Sequence, residues 1–277
     1  MDDPPVIGFA GGGFYISWIL GVAAGMQRIG TPIDRCVLSG ASAGAAVAAV
    51  LACGVDMHRA RDWFFTDPAS LACFSSPVGA ALRVHDVMRT FMETMLPEDA
   101  AARSAGRLHI VVCSRKRGCY FSTDFRSKAD IIDAVAASSH MPYFSNGRYA
   151  FLYRDEEHVD GAWMSSRHGV LLCAPSATKV LIDHDADAAM PDNRPFYEVG
   201  SREVQAARFE RGVRYAMELD AVGGLPRAAS IYAPREARAD EPAARDHKGH
   251  RLGGREAGVA GEWAEAHRPA RGMRLAD

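Results

Sequence analysis

Gly40-Ala41-Ser42-Ala43-Gly44 constrains what this chain can fold into more than any other stretch. The pentapeptide has the form G-x-S-x-G, in which a serine occupies a strained strand-to-helix turn and small flanking residues let strand and helix approach closely. Its setting agrees with that geometry. Cys36 to Leu38 is a short apolar run suited to a strand, and Ala45 to Cys53 is an alanine- and valine-rich stretch of high helix propensity. A glycine run, Gly11-Gly12-Gly13, stands upstream. Ser42 is therefore a candidate nucleophile with Gly40 and Gly44 as its supports; a packed turn without chemistry is the alternative that a bare match allows.

The spacing of apolar residues predicts an alternating order of strands and helices. Val6 to Ala10 reads as a buried strand, Phe14 to Ile29 as a helix, Cys36 to Leu38 as the next strand and Ala45 to Cys53 as the next helix. Such a βαβα opening favours a parallel sheet covered on both faces. Helices are expected over Asp56 to Phe65, His85 to Leu96, Ala129 to Ala137 and Ser201 to Leu219. Strands are expected over Leu108 to Cys113, Cys119 to Thr123, Tyr149 to Tyr153, Val170 to Cys173 and Lys179 to Ile182, and an irregular flap over Asp67 to Gly79. From Arg235 onward 17 of 43 residues are charged and Leu, Ile, Val and Phe number only 3, too few to offset the entropy of ordering. The reading is one globular domain over 5–234 and a polar, disordered tail over 235–277, in which Trp263 is at most a weak anchor.

A formal charge of −2 with no basic stripe gives no case for nucleic acid. No apolar run reaches the roughly twenty residues needed to span a bilayer, and the acidic Met1-Asp2-Asp3 start lacks the basic region of a secretory signal. The six scattered cysteines form no C-x-x-C pair, which predicts reduced core thiols in an intracellular protein instead of a disulfide framework or a zinc site.

The glycine run fits neither common phosphate loop. A dinucleotide fingerprint anchored on Gly11 and Gly13 would need a small residue where Ile16 stands, and the Gly-Lys-Ser/Thr of a P-loop is absent. What remains is a set of amides at the start of the Phe14 helix, a natural anion cradle. Beside a nucleophilic serine, Gly11, Gly12 and Gly13 would hold the oxyanion of an acyl transfer intermediate. The base is less obvious. His168 and His184 fall at strand edges, where solvated or core-satisfied histidines are expected, and His140 before Met141-Pro142 reads as structural. Asp160, followed by the small Gly161 and Ala162, suits a carboxylate presented into a cleft, although Asp-Gly alone is usually a turn.

These three motifs in this order resemble the patatin-like phospholipase family, in particular its animal triacylglycerol-lipase and adiponutrin-like branch. Phe9-Ala10-Gly11-Gly12-Gly13-Phe14 is similar to that branch's oxyanion loop and Ser39 to Ala45 to its elbow. Ala137-Ser138-Ser139 through Phe144 resembles the end of a small-residue helix with its following proline, and Phe209 to Leu219 the terminal helix. The resemblance covers roughly residues 5 to 220. It implies a three-layer α/β/α fold with a mostly parallel central sheet and a serine carboxylic-ester hydrolase that acts on lipids through Ser42 and Asp160. Gly11 to Gly13 would supply the oxyanion hole, and neither metal nor cofactor is needed. It also implies a lipid substrate, phospholipid or acylglycerol, met by a cytoplasmic protein peripheral to membranes or lipid droplets. Where the family has a second glycine after Asp-Gly this chain has Ala162, and Ser166-Arg167-His168 replaces its asparagine and proline. Two alternatives remain: a catalytically weak or inactive lipid-associated protein on the same scaffold, and a small-ester or thioester hydrolase. Ile16, Trp18, Trp63, Phe64, Phe65 and Phe74 are candidates for an acyl groove, or else ordinary core.

Overall fold

The computed structural model describes residues 3–74, 80–161, 176 and 179–227. The Val170 to Cys173 strand, Ala162, the Ser166-Arg167-His168 segment and the tail lie outside these residues. Strands β1 (Val6–Phe9), β2 (Val37–Gly40), β3 (Leu108–Ser114), β4 (Gly118–Ser122), β5 (Phe151–Tyr153), β6 (Glu156–Val159) and β7 (Lys179–Ile182) form one seven-stranded sheet. Its order is β5-β6-β3-β2-β1-β7, with β4 also paired to β3. β7, β1, β2 and β3 run parallel, and β4, β5 and β6 add antiparallel pairs. The fold is α/β with a mostly parallel sheet. β1 and β2 are buried along their whole length, as parallel strands covered on both faces must be.

Among the described residues the α-helices are α1 (Ile16–Ile29), α2 (Ala43–Ala52), α3 (Met57–Thr66), α4 (Pro68–Phe74), α5 (Val84–Met95), α6 (Ala100–Ser104), α7 (Lys128–Ser138) and α8 (Arg202–Ala221). Several start where a side chain satisfies an orphan amide: Asp56 accepts from His58, Ser127 from Asp130 and Ser201 from Val204. The expected flap is corrected in part. Asp67 accepts from the amides of Ala69 and Ser70, Pro68 takes the first helical position, and α4 follows. α1 and α8 lie against each other through glycines. A Cβ on Gly21 would stand 2.0 Å from the Phe209 carbonyl oxygen and one on Gly212 2.2 Å from that of Trp18.

The thiol expectation is corrected as well. Cys113 and Cys119 stand opposite each other in the antiparallel β3–β4 ladder and are disulfide-bonded. Pairing register, which their spacing of six does not reveal, brings them together. Cys36, Cys53 and Cys73 are free and buried, and burial pushes their thiols up to about 11. Among the described residues no helix is long and apolar enough to cross a membrane.

Candidate active site

β2 ends at Gly40, α2 begins at Ala43, and Ser42 sits between them with φ 52° and ψ −127°. That backbone region is unfavourable for an L residue. The neighbours make the turn possible. A Cβ on Gly40 would fall 2.4 Å from the carbonyl oxygen of Gly44, and one on Gly44 2.4 Å from that of Phe9 and 2.5 Å from that of Ala10. Both glycines are thus required by contact, and the contacts press the elbow against the end of β1. The amide of Ala41 donates to the Phe9 carbonyl at 3.2 Å and that of Ser42 to Ser138 Oγ at 2.9 Å.

Asp160 follows β6 directly. Its amide donates to the His140 carbonyl at 2.7 Å, and its Oδ2 accepts from Ser42 Oγ at 2.7 Å. Ser42 is 7% exposed and Asp160 4%, so the pair meets where water screens it little. Gly161 lies against Val111 and Ala41, with ordinary clearance for a Cβ.

The glycine run leads into a 3-10 turn, Gly13–Tyr15. Gly13 has φ 49°, and a Cβ there would meet the Phe196 carbonyl oxygen at 2.4 Å. That carbonyl accepts the amide of Phe14 at 2.8 Å, which removes Phe14 from the anion cradle. Among the described residues the amides of Gly11, Gly12 and Gly13 have no acceptor. Ala43, the residue after the serine, offers another amide in the same state at the head of α2, a donor that elbow geometry supplies and the sequence expectation omits.

The loop is braced from far along the chain. Arg208, fully buried, donates to the Phe14 carbonyl at 3.0 Å, pairs with Asp192 at 2.6 Å and stacks over Tyr15 at 3.8 Å. Arg211 pairs with buried Asp187, which also accepts from Trp18 Nε1 at 2.9 Å. Arg211 falls within the Phe209 to Leu219 stretch, but the sequence gives neither arginine its partners, because those are fixed only by the fold.

Among the described residues no histidine ring hydrogen-bonds to Ser42. His140 is buried with Nε2 at 3.1 Å from the Arg148 carbonyl, and His158 is held between Tyr120 and the Glu156 carbonyl. His184 stacks on Tyr15, and His168 lies outside the described residues. Asp183, His184 and Asp185 place one potential ligand atom each within 4.8 Å of one another, beside the glycine loop. The acyl-groove candidates separate. Trp18 and Trp63 belong to the core, Ile16, Phe64 and Phe65 line a cavity of about 260 Å³, and the side chain of Phe74 lies outside the described residues.

The α/β fold thus carries a serine on a strained strand-to-helix turn, an aspartate hydrogen-bonded to it, and a glycine run after β1. The sequence profile of the family described as Patatin-like phospholipase matches residues 8–168, and the chain belongs to that family. The chain is 27% identical over 168 residues to omega-hydroxyceramide transacylase of Mus musculus, a match covering 59% of this chain and 28% of that protein. Patatin-like phospholipase domain-containing protein 4 of Homo sapiens is 30% identical over 164 residues, 56% of this chain and 63% of that one. The chain therefore spans less than two thirds of either relative. A crystal structure of VipD from Legionella pneumophila superposes with a TM-score of 0.46 at 12% identity, covering 79% of this chain and 67% of that one.

Proposed function

We propose that the protein is a lipid acyl hydrolase that cleaves carboxylic esters of glycerolipids through Ser42 and Asp160. The observation that carries this is the 2.7 Å hydrogen bond from Ser42 Oγ to Asp160 Oδ2, made by a serine at φ 52°. Ser42 Oγ attacks the ester carbonyl carbon while its proton passes to Asp160 Oδ2. The carbonyl oxygen becomes an oxyanion facing the amides of Gly11 to Gly13 and of Ala43, where one well-placed donor contributes about 3 kcal/mol. The bond to the alcohol then breaks, and the alcohol leaves with the proton held on Asp160. Water attacks the acyl group, Asp160 takes its proton, and the fatty acid departs as Ser42 recovers that proton. The protein would meet its substrate as a cytoplasmic protein at the surface of a membrane or lipid droplet.

A second reading has a specific source, since relatives of this chain are named transacylases. The same acyl-serine intermediate passed to an alcohol in place of water would make an ester. A fluorophosphonate probe tests the shared step. It should label the wild-type protein and leave Ser42→Ala unlabelled and inactive on esters, with an unchanged melting temperature. An unlabelled wild-type protein would instead indicate an inactive scaffold. Adding a long-chain alcohol to the ester assay then separates the two acceptors, because transfer yields a new ester and hydrolysis only free acid.

A further inference from the structure

Gln205 is 4% exposed, yet its Nε2 has no acceptor among the described residues. The other end of the amide accepts from Ser17 Oγ, so exchanging the two amide atoms would only move the unsatisfied end. A buried polar atom left unpaired is costly unless something else pairs with it. Gln205 forms part of the wall of the 260 Å³ cavity, beside Gly200, whose ideal Cβ position is 3.6 Å from Nε2. The rest of that wall divides by chemistry. Ile16, Leu20, Phe64, Phe65 and Leu71 make an apolar side. Gly200, Ser201 and Arg202 make a polar side that is also the N-terminus of the 20-residue helix α8, where the helix dipole favours an anion. Arg202 lies over the Phe65 ring at 5.5 Å and has no carboxylate within salt-bridge reach among the described residues. Arg61, at the same mouth, is already paired with Asp62. Arg202 also borders a neighbouring hollow whose wall includes Asp62 and Glu210.

We propose that this cavity binds a single-chain lipid ending in an anionic oxygen head, a carboxylate or a phosphate monoester. The head accepts from Gln205 Nε2 and lies against Arg202 at the start of α8, and the chain lies between Ile16, Leu20, Phe64, Phe65 and Leu71. At about 260 Å³ the space falls just under the range of about 300–1,000 Å³ usual for ligand pockets, enough for one chain of medium length and not for a two-chain glycerolipid. α1 carries Ile16 at its first position, three residues after Gly13, so the site adjoins the glycine loop without being part of it. The inference rests on the lipid-directed reading of the protein, in which such an amphiphile is released at each turnover.

Calorimetric titration of the Ser42→Ala protein tests it without turnover, so a failed hydrolase assay leaves the result standing. Decanoate and decyl phosphate, each below its micelle concentration, should bind saturably with one molecule per chain. Decanol, with the same tail and no charge, should bind at least about tenfold more weakly, the scale of a lost charge-assisted hydrogen bond. Gln205→Leu and the surface change Arg202→Gln should each weaken decanoate by about the same factor. Arg202→Gln keeps the test decisive if Gln205→Leu fails to fold. The tighter of the two anions identifies which head the site takes. Absence of saturable binding by both anions, decanol binding as tightly as decanoate, or binding unchanged in Arg202→Gln would overturn the proposal.

Discussion

Ser42 and Asp160 interact as side chains, but the backbone sets their geometry. Ser138 Oγ takes the Ser42 amide and the His140 carbonyl takes the Asp160 amide, so both residues are tied to the segment that ends α7. If Asp160 is the base, Asp160→Asn keeps the shape and loses the proton acceptor. Hydrolysis should then fall by about 10²–10⁴-fold, the usual contribution of a general base, with little change in KM. Steady-state kinetics on a soluble ester checks this; near-wild-type turnover would transfer the base role to another group. The sequence makes Ser42, Gly40 and Gly44 legible because each carries a steric demand that only small residues meet. Asp160 is legible only in company, since an Asp-Gly pair alone describes an ordinary turn. Ser138 and the Ala43 amide escape a sequence reading because a hydroxyl at a helix end and a bare N–H carry no signature of their partners.

Among the elements, the long apolar ones are plain in the sequence and the short polar ones are not. β1, β2, α2 and α7 follow from runs of Val, Ile, Leu and Ala that are buried in the fold. β6 does not, because Glu156-Glu157-His158-Val159 reads as polar while His158 is fully buried and hydrogen-bonded at both ring nitrogens. α4 is hidden by the Pro and Ser content that also suits a loop, even though Asp67-Pro68 is a good helix start. The most consequential element is α8, because Arg208 reaches from it to the glycine loop. Arg208→Met keeps length and apolar contact but strands Asp192 and the Phe14 carbonyl. Arg208 is buried but Asp192 only partly so, and losing the guanidinium that pairs with it and with the Phe14 carbonyl should cost about 1–3 kcal/mol. Chemical denaturation measures that cost, and turnover should fall further than the unfolded fraction explains, since the Phe14 carbonyl that Arg208 holds follows Gly13 directly. Unchanged turnover by the folded fraction would separate the brace from the chemistry.

At the scale of the molecule, acid should be the first stress to weaken it. Burial holds His85, His109, His140 and His158 below the ordinary imidazole value, with Arg89 and the neighbouring His140 adding to the effect on His85. Each then binds a proton more readily in the unfolded chain than in the folded one. Their contribution to stability is complete above about pH 6.5 and is lost as the pH falls below that value toward their folded-state values. Melting temperatures measured from about pH 7.5 down to about pH 5 should decline over that window, and a flat series would show these histidines reach solvent before unfolding. The far end of the chain should matter less. With 17 charged residues among the 43 of 235–277, a chain ending at Pro234 should fold and keep its activity on soluble short-chain esters. An unstable or inactive product would mean that this stretch docks on the domain. The braces on the glycine loop carry a consequence for biosynthesis. Arg208 and Phe14 are 194 positions apart, and β1 has β7 as one of its two partners. The glycine run therefore leaves the ribosome long before the partners that fix it, and a nascent chain carrying Gly11 to Gly13, Ser42 and Asp160 would still lack the contacts that give the loop its final form.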